Sequence, residues 1–244
     1  MEKKFVAYFD YLGFKDFILN NSMDKQKFII GNNLREIGNA MASGKLTETK
    51  GGFIPDTSGT DINCLNFSDT IIFWSNDDSV TALEEILKIS FTFNARTNLF
   101  FFPVRGSLVH GELYCLNESM HSLTVNSVFG KGLIEAYSNA ESLDWAGTVI
   151  NESIISYLKR NDIEIEDYLS RFCIEYEVPY RNNQKKLEYA LRLIAGSLNN
   201  DSYENYCSSI ETNFNNYKKS TSSRSAKRKL KNTTDFLRTF ILNN

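Results

Sequence analysis

Phe5-Val6-Ala7-Tyr8-Phe9-Asp10-Tyr11-Leu12-Gly13-Phe14 is the stretch on which the reading of this chain turns. Its unbroken apolar run reads as a buried strand, and Gly13 marks the turn out of it. Asp10 therefore stands at a strand end, where a carboxylate is costly unless it is solvated, paired or bound to a cation. A second apolar stretch repeats the pattern. Residues 62–67 and 70–75 read as a hairpin turning at Ser68-Asp69, with another aspartate in its tip. Each aspartate alone also suits a plain turn. Two carboxylates brought together would repel, and a divalent cation is the usual remedy.

From Gly13 to about Ala42, Phe14, Phe17, Ile18, Phe28, Ile29, Leu34 and Ile37 recur at helical spacing, as two helices or one bent one. Residues 43–60 are polar and glycine-rich and are expected to form a flexible loop. Ser79 caps a helix over about 80–98. Residues 103–115 read as a strand, and 127–142 as a helix introduced by Phe129-Gly130-Lys131-Gly132. A short strand at 147–150 precedes an Asn151-capped helix, and a late strand at 172–178 ends at Pro179. Beyond residue 184 the segments 185–198, 201–218 and 225–242 all read helical. The expectation is an α+β fold with a mixed sheet and flanking helices over 1–183, and a C-terminal helical extension over 184–244.

Composition narrows the function classes. A hydrophobic content of 42%, with 18 Phe and 12 Tyr, suffices for a real core, and a net charge of −3 supplies no global attraction for nucleic acid. No apolar run is long enough to span a membrane. No secretory leader is evident, and the four cysteines lie far apart without a CxxC pair, so they read as reduced cytoplasmic thiols. The basic segment from Lys218 to Lys231 reads as a solvated linker and helix face. Phe236, Leu237, Phe240 and Ile241 beyond it suggest that the last helix docks on the core or on a second subunit.

Phe9-Asp10-Tyr11-Leu12-Gly13-Phe14, followed by Phe67-Ser68-Asp69-Thr70, resembles the metal-binding signature of class III nucleotide cyclases. Two further blocks extend the resemblance: Val104-Arg105-Gly106 with His110-Gly111-Glu112, and Val128-Phe129-Gly130 leading into a helix through Ala136, Ala140 and Glu141. More narrowly, Glu135-Ala136-Tyr137, Tyr176-Glu177-Val178-Pro179 and Lys231-Asn232-Thr233-Thr234-Asp235 are similar to the bacterial pyrimidine nucleotide cyclases of Pycsar anti-phage systems. The resemblance implies a ferredoxin-like cyclase core in which Asp10, Asp69 and the carbonyl of Tyr11 hold two Mg²⁺ or Mn²⁺ ions. It further implies conversion of UTP or CTP, with UTP preferred, to the 3′,5′-cyclic monophosphate and pyrophosphate. It implies a head-to-tail homodimer with sites at the interface, and a product that acts on a separate effector, without nucleic acid or membrane as partner.

Purine-specific members carry a lysine four residues before the hairpin aspartate and an aspartate before the glycine-initiated helix. Leu65 and Ser127 stand there in this chain, so with Asn63 they are the candidates for a pyrimidine pocket. The family also places an Asn and an Arg four residues apart on that helix; here Glu135 and Asn139 occupy those positions and the helix has no arginine. Arg105, Lys131 or Arg181 is then the source of positive charge for the phosphates. The alternative is a catalytically inactive cyclase-homology domain that binds a nucleotide or a partner protein.

Overall fold

The computed structural model describes residues 2–120, 123–219 and 222–242, with the backbone alone for 120 and 123–125. A seven-stranded sheet organises the chain. Its strands are β1 (Lys3–Tyr11), β4 (Ile62–Phe67), β5 (Thr70–Ser75), β6 (Val104–Glu112), β9 (Thr148–Ile150), β10 (Cys173–Tyr180) and β11 (Gln184–Leu191). Their order is β10-β11-β9-β6-β1-β5-β4. Only the β6–β9 pairing is parallel, so the sheet is mixed.

β1 lies near the middle and is buried on both faces, which is why it reads as a continuous apolar run. Phe5, Ala7, Phe9 and Tyr11 enter the larger core, while Val6 and Tyr8 point the other way. The larger core is closed by α1 (Phe14–Asn20), α2 (Met23–Ala42), α3 (Val80–Phe100), α5 (Glu152–Arg160) and α6 (Ile165–Leu169). Ser79 and Asn151 cap α3 and α5 with their side chains, accepting from Ala82 and Ser153 amides at 3.2 and 2.8 Å.

Over β1, β5 and β6 the opposite face is covered by α4 (Lys131–Ser142), whose Ala136 and Ala140 pack on Val6, Tyr8, Ile72 and Val109. Glycine makes that close crossing possible. A Cβ added to Gly111 on β6 would lie 2.7 Å from the Gly132 Cα. Gly130, at the start of α4, has φ 152° with no room for a side chain against the Glu112 carbonyl.

Several expectations are corrected. Residues 43–60 contain a hairpin, β2 (Leu46–Thr49) with β3 (Gly52–Pro55). The expected strand over 103–115 stops at Glu112, and the chain then builds a separate hairpin of β7 (Tyr114–Met120) and β8 (Leu123–Phe129). Ser127 consequently lies in a strand, and α4 begins only at Lys131. The expected helix at 185–198 is largely strand β11, paired along its length with β10 and touching β9. The helical part of the C-terminal region therefore starts at α7 (Asn200–Asn215), followed by α8 (Arg224–Arg238). α7 and α8 form a further core with Trp145, Val149 and Tyr180, in which Phe236, Leu237 and Phe240 are buried. Among the described residues no helix is long and apolar enough to cross a membrane.

Candidate functional site

β1 ends beside the tip of the β4–β5 hairpin. Asp10 lies opposite Thr70 on β5 and opposite Arg105 on β6. The Tyr11 amide donates to the Asp69 carbonyl at 3.0 Å, which ties the hairpin tip to the strand end. Ser68 adopts a left-handed φ of 58° to make that tip. Gly13, at φ 81°, then turns the chain into α1. The two aspartates thus share one cleft, of about 320 Å³, with Tyr11, Lys15, Arg105, Glu141, Arg181 and Lys229 in its wall.

Arg105 organises the charges. It is buried and donates from Nε to Asp10 Oδ2 at 3.0 Å, with Nη2 at 2.8 Å from the same oxygen. Its Nη2 also pairs with the Glu141 carboxylate, and its Nη1 donates to the Glu141 carbonyl at 3.2 Å. Arg181, in the turn after β10, reaches the other oxygen of Glu141 at 3.3 Å. Burial raises the Asp10 carboxyl above its ordinary pKa; Arg105 opposes that rise, and the neighbouring charge of Asp69 adds to it.

Lys229 arrives from α8. Asp144, 1% exposed, anchors that helix: Arg228 binds its carboxylate and Asn232 donates to its carbonyl at 2.8 Å. The Ala146 amide donates to Thr233 Oγ1 at 2.9 Å. Docked in this way, α8 places Lys229 against the cleft, where burial lowers its pKa, Asp144 opposes that fall, and Arg105 and Arg181 add to it. Three carboxylates (Asp10, Asp69, Glu141) and four cations (Lys15, Arg105, Arg181, Lys229) therefore line the same opening.

The other sequence candidates lie apart from it. Asn63 on β4 donates to Asn76 Oδ1 at 2.8 Å, and Leu65, opposite Ile72, is 41% exposed. Ser127 faces Leu116 in the β7–β8 hairpin. Lys131 is almost fully exposed at the start of α4, 3.6 Å from Glu112. Asn139 is half-buried on α4, where its carbonyl accepts from the Ser142 hydroxyl at 2.6 Å. None of these five lines the cleft of Asp10 and Asp69. Glu141 and Lys229 were not singled out for the site. Glu141 ends the glycine-initiated helix, and Lys229 lies four and seven residues before the buried Thr233 and Phe236, on the docked face of its helix.

No family model matches the chain, and no curated protein matches its sequence. Solved structures do match. The guanylate cyclase domain of RhGC from Catenaria anguillulae, in complex with GTP, aligns with a TM-score of 0.54 at 11% identity, covering 78% of this chain and 96% of that one. The adenylyl cyclase CyaB from P. aeruginosa aligns at 0.52 and 12% identity, over 78% and 94% of the two chains. The non-canonical dimeric guanylyl cyclase domain of the RhoGC fusion protein from Blastocladiella emersonii aligns at 0.54 and 12%, over 78% and 96%. At such identities the likeness is one of fold, the α+β fold of class III nucleotide cyclases.

Proposed function

On this class III cyclase fold, we propose that the chain is a pyrimidine nucleotide cyclase that converts UTP, or CTP, to the 3′,5′-cyclic monophosphate and pyrophosphate. The observation that carries the reading is the meeting of Asp10 and Asp69, 59 residues apart in sequence, in one cleft that also holds Arg105, Arg181 and Lys229. The donor set fits hard divalent cations: two carboxylates with the Tyr11 carbonyl between them in sequence, and no histidine or cysteine in the wall. Among the described residues no cluster of three or more acidic, histidine or cysteine side chains forms a self-sufficient metal site. Mg²⁺ is commonly held by one or two carboxylates together with substrate phosphates. Bound there, two such ions would lower the pKa of the ribose 3′-hydroxyl and neutralise phosphate charge.

The chain's own residues do the rest by position and charge. Arg105, fixed by Asp10 and Glu141, holds its positive charge in the wall of the cleft, where it would act on an anionic α-phosphate through the field. Arg181 and Lys229 stand on the same wall, suited to the charge that builds on the departing pyrophosphate. The 3′-hydroxyl loses its proton to solvent and its oxygen bonds to the α-phosphorus as the bond to the α–β bridging oxygen breaks and pyrophosphate leaves; little covalent chemistry is left to the protein. Leu65 and Ser127 lack the charged partners a purine requires, and unpaired polar groups in a buried base site cost on the order of 10⁴-fold in discrimination.

The separate candidates fit a head-to-tail dimer, in which the aspartates of one protomer would face Asn63, Leu65, Ser127, Lys131 and Asn139 of the other. The resemblance of Glu135-Ala136-Tyr137 and Tyr176-Glu177-Val178-Pro179 to pyrimidine cyclases of anti-phage systems suits a signal generator in such defence, its product acting on a separate effector. A second reading is favoured by the absence of arginine from α4: a cyclase-homology domain that binds a nucleotide or partner without turnover. Incubating the protein and Asp69→Ala with each of the four nucleoside triphosphates and Mn²⁺ separates the two. The expected products are cyclic UMP or cyclic CMP from the first and none from the second. Equal turnover of ATP or GTP would refute the pyrimidine reading, and no cyclic product from any triphosphate would leave the binding domain.

A further inference from the structure

Beside the aspartate cleft lies a smaller cavity of about 160 Å³, which shares Leu12, Gly13 and Lys229 with it. Its remaining wall includes Lys219, Ser223 and Ser225, all from the segment that leads into and begins α8. Lys219 is only 8% exposed. Its ammonium donates to the Asn213 carbonyl at 2.5 Å and lies 4.1 Å from the Phe102 ring centroid. Among the described residues no carboxylate pairs with it. A buried cation without a counter-charge is costly, and an anion in the adjoining cavity would supply the missing charge. Lys229 forms the other side of the cavity, bonded to Ser225 Oγ at 2.7 Å. Its nearest carboxylate, Asp144 at 3.7 Å, already receives Arg228. The cavity holds the volume of about five waters, and a phosphate group has five heavy atoms.

We propose that this side cavity receives a terminal phosphate of the polyphosphate tail, with Lys219 and Lys229 as its cationic ligands and the Ser223 and Ser225 hydroxyls beside them. The proposal deepens the nucleotide-cyclase reading and rests on it for the identity of the substrate. It makes the C-terminal helices part of the substrate site: α8, held by Asp144, closes the phosphate end of the cleft. It also accounts for two lysines that face away from the solvent in an otherwise ordinary basic segment.

The test uses inorganic tripolyphosphate with Mg²⁺, measured by calorimetry on the full chain, alongside product formation from UTP. Lys229→Gln and Lys219→Met are each expected to weaken tripolyphosphate binding by about 10- to 100-fold, the range for a charge-assisted bond. Both variants should raise KM more than they lower kcat. Lys229→Arg, which keeps the charge, should restore affinity to within a few-fold. Lys227→Gln removes a positive charge from an exposed position of the same helix, outside both cavities, and should leave tripolyphosphate affinity within twofold. Unchanged affinity in Lys229→Gln or Lys219→Met overturns the proposal, as does equal weakening in Lys227→Gln. Wild-type protein that makes cyclic product while both lysine variants keep their KM overturns this inference alone. Wild-type protein that makes no cyclic product but shows the expected binding pattern overturns the cyclase reading and leaves the anion site standing.

Discussion

Replacing Lys219 by methionine should make the fold more stable at neutral pH, and the gain should shrink as the pH rises. Burial pushes this ammonium down from 10.5 to about 7. At about 1.4 kcal/mol per unit, that gap caps the cost of the buried charge at about 5 kcal/mol. Methionine fills a similar volume without the charge, but forfeits the bond to the Asn213 carbonyl and the contact with the Phe102 ring. Those losses offset about 1–3 kcal/mol, leaving a net gain of about 2–4 kcal/mol at pH 7. The pH dependence is the sharper readout. Below pH 7 the lysine is protonated folded and unfolded, so its full cost is present. Between 7 and 10.5 the folded protein releases the proton while the unfolded chain keeps it, and wild-type stability climbs. From pH 7.5 to 9 the wild type should gain about 2 kcal/mol on the variant. Urea unfolding of both chains at matched ionic strength measures this, because the tyrosine and cysteine contributions are common to both and cancel in the difference. A difference flat to within about 0.5 kcal/mol over that range would show that Lys219 is not held as an uncompensated buried cation.

Three further outcomes check other parts of the argument. Leu65→Lys combined with Ser127→Asp restores the purine partners and should shift competition between UTP and GTP toward GTP; an unchanged ratio would remove both residues from the base pocket. Gly111→Ala inserts a Cβ 2.7 Å from the Gly132 Cα and should cost about 1–3 kcal/mol, read as a melting temperature lowered by several degrees. An unshifted melt would mean that α4 is free to move off β6. Asp69→Ala should lose cyclisation by about 10³-fold or more while keeping its circular dichroism spectrum, since the side chain sits in a hairpin tip; appreciable residual turnover would exclude Asp69 as a metal ligand.

The parts of the fold that were legible in sequence are those with a strong local signal. β1 and the β4–β5 hairpin are apolar runs broken by an aspartate, and α3 and α5 begin at Ser79 and Asn151, whose side chains do cap them. β11 was hidden because Gln184-Lys185-Lys186-Leu187 is exposed along its first half, so its pairing with β10 leaves no apolar alternation to read. The β2–β3 hairpin stands off the main sheet with its side chains largely exposed, which makes it compositionally a loop; β7–β8 likewise stands apart from that sheet. In the cleft, Asp10, Tyr11, Asp69, Arg105 and Arg181 were all visible before the fold was. Lys229 was not, because its position depends on Asp144 holding α8 eighty-odd residues away in sequence. A helix that looks like a solvated basic face becomes part of a site only through that docking.

One face of the sheet explains why the candidate base residues sit apart from the aspartates. Side chains alternate along a strand, and Val6 and Tyr8 place Asp10 on the α4 side of β1. Leu65 and Phe67 lie opposite Ile72 and Thr70, on that same side. α4 covers the middle of this face only, so Leu65 remains 41% exposed and Phe67 77%, and on α4 itself Ile134 is 66% exposed and Tyr137 49%. Apolar surface of that extent beside a charged cleft suits a second copy of the chain. If the sites are built across a two-fold axis, a defect in the aspartates and one in α4 should complement each other. Random pairing of Asp69→Ala and Asn139→Ala chains yields half heterodimers, each with one intact site and one doubly damaged, so activity should recover to about a quarter of wild type. Each variant alone should stay near zero. Mixtures that never exceed the better of the two variants would place the whole reaction within one protomer, and the apolar face would then require another occupant.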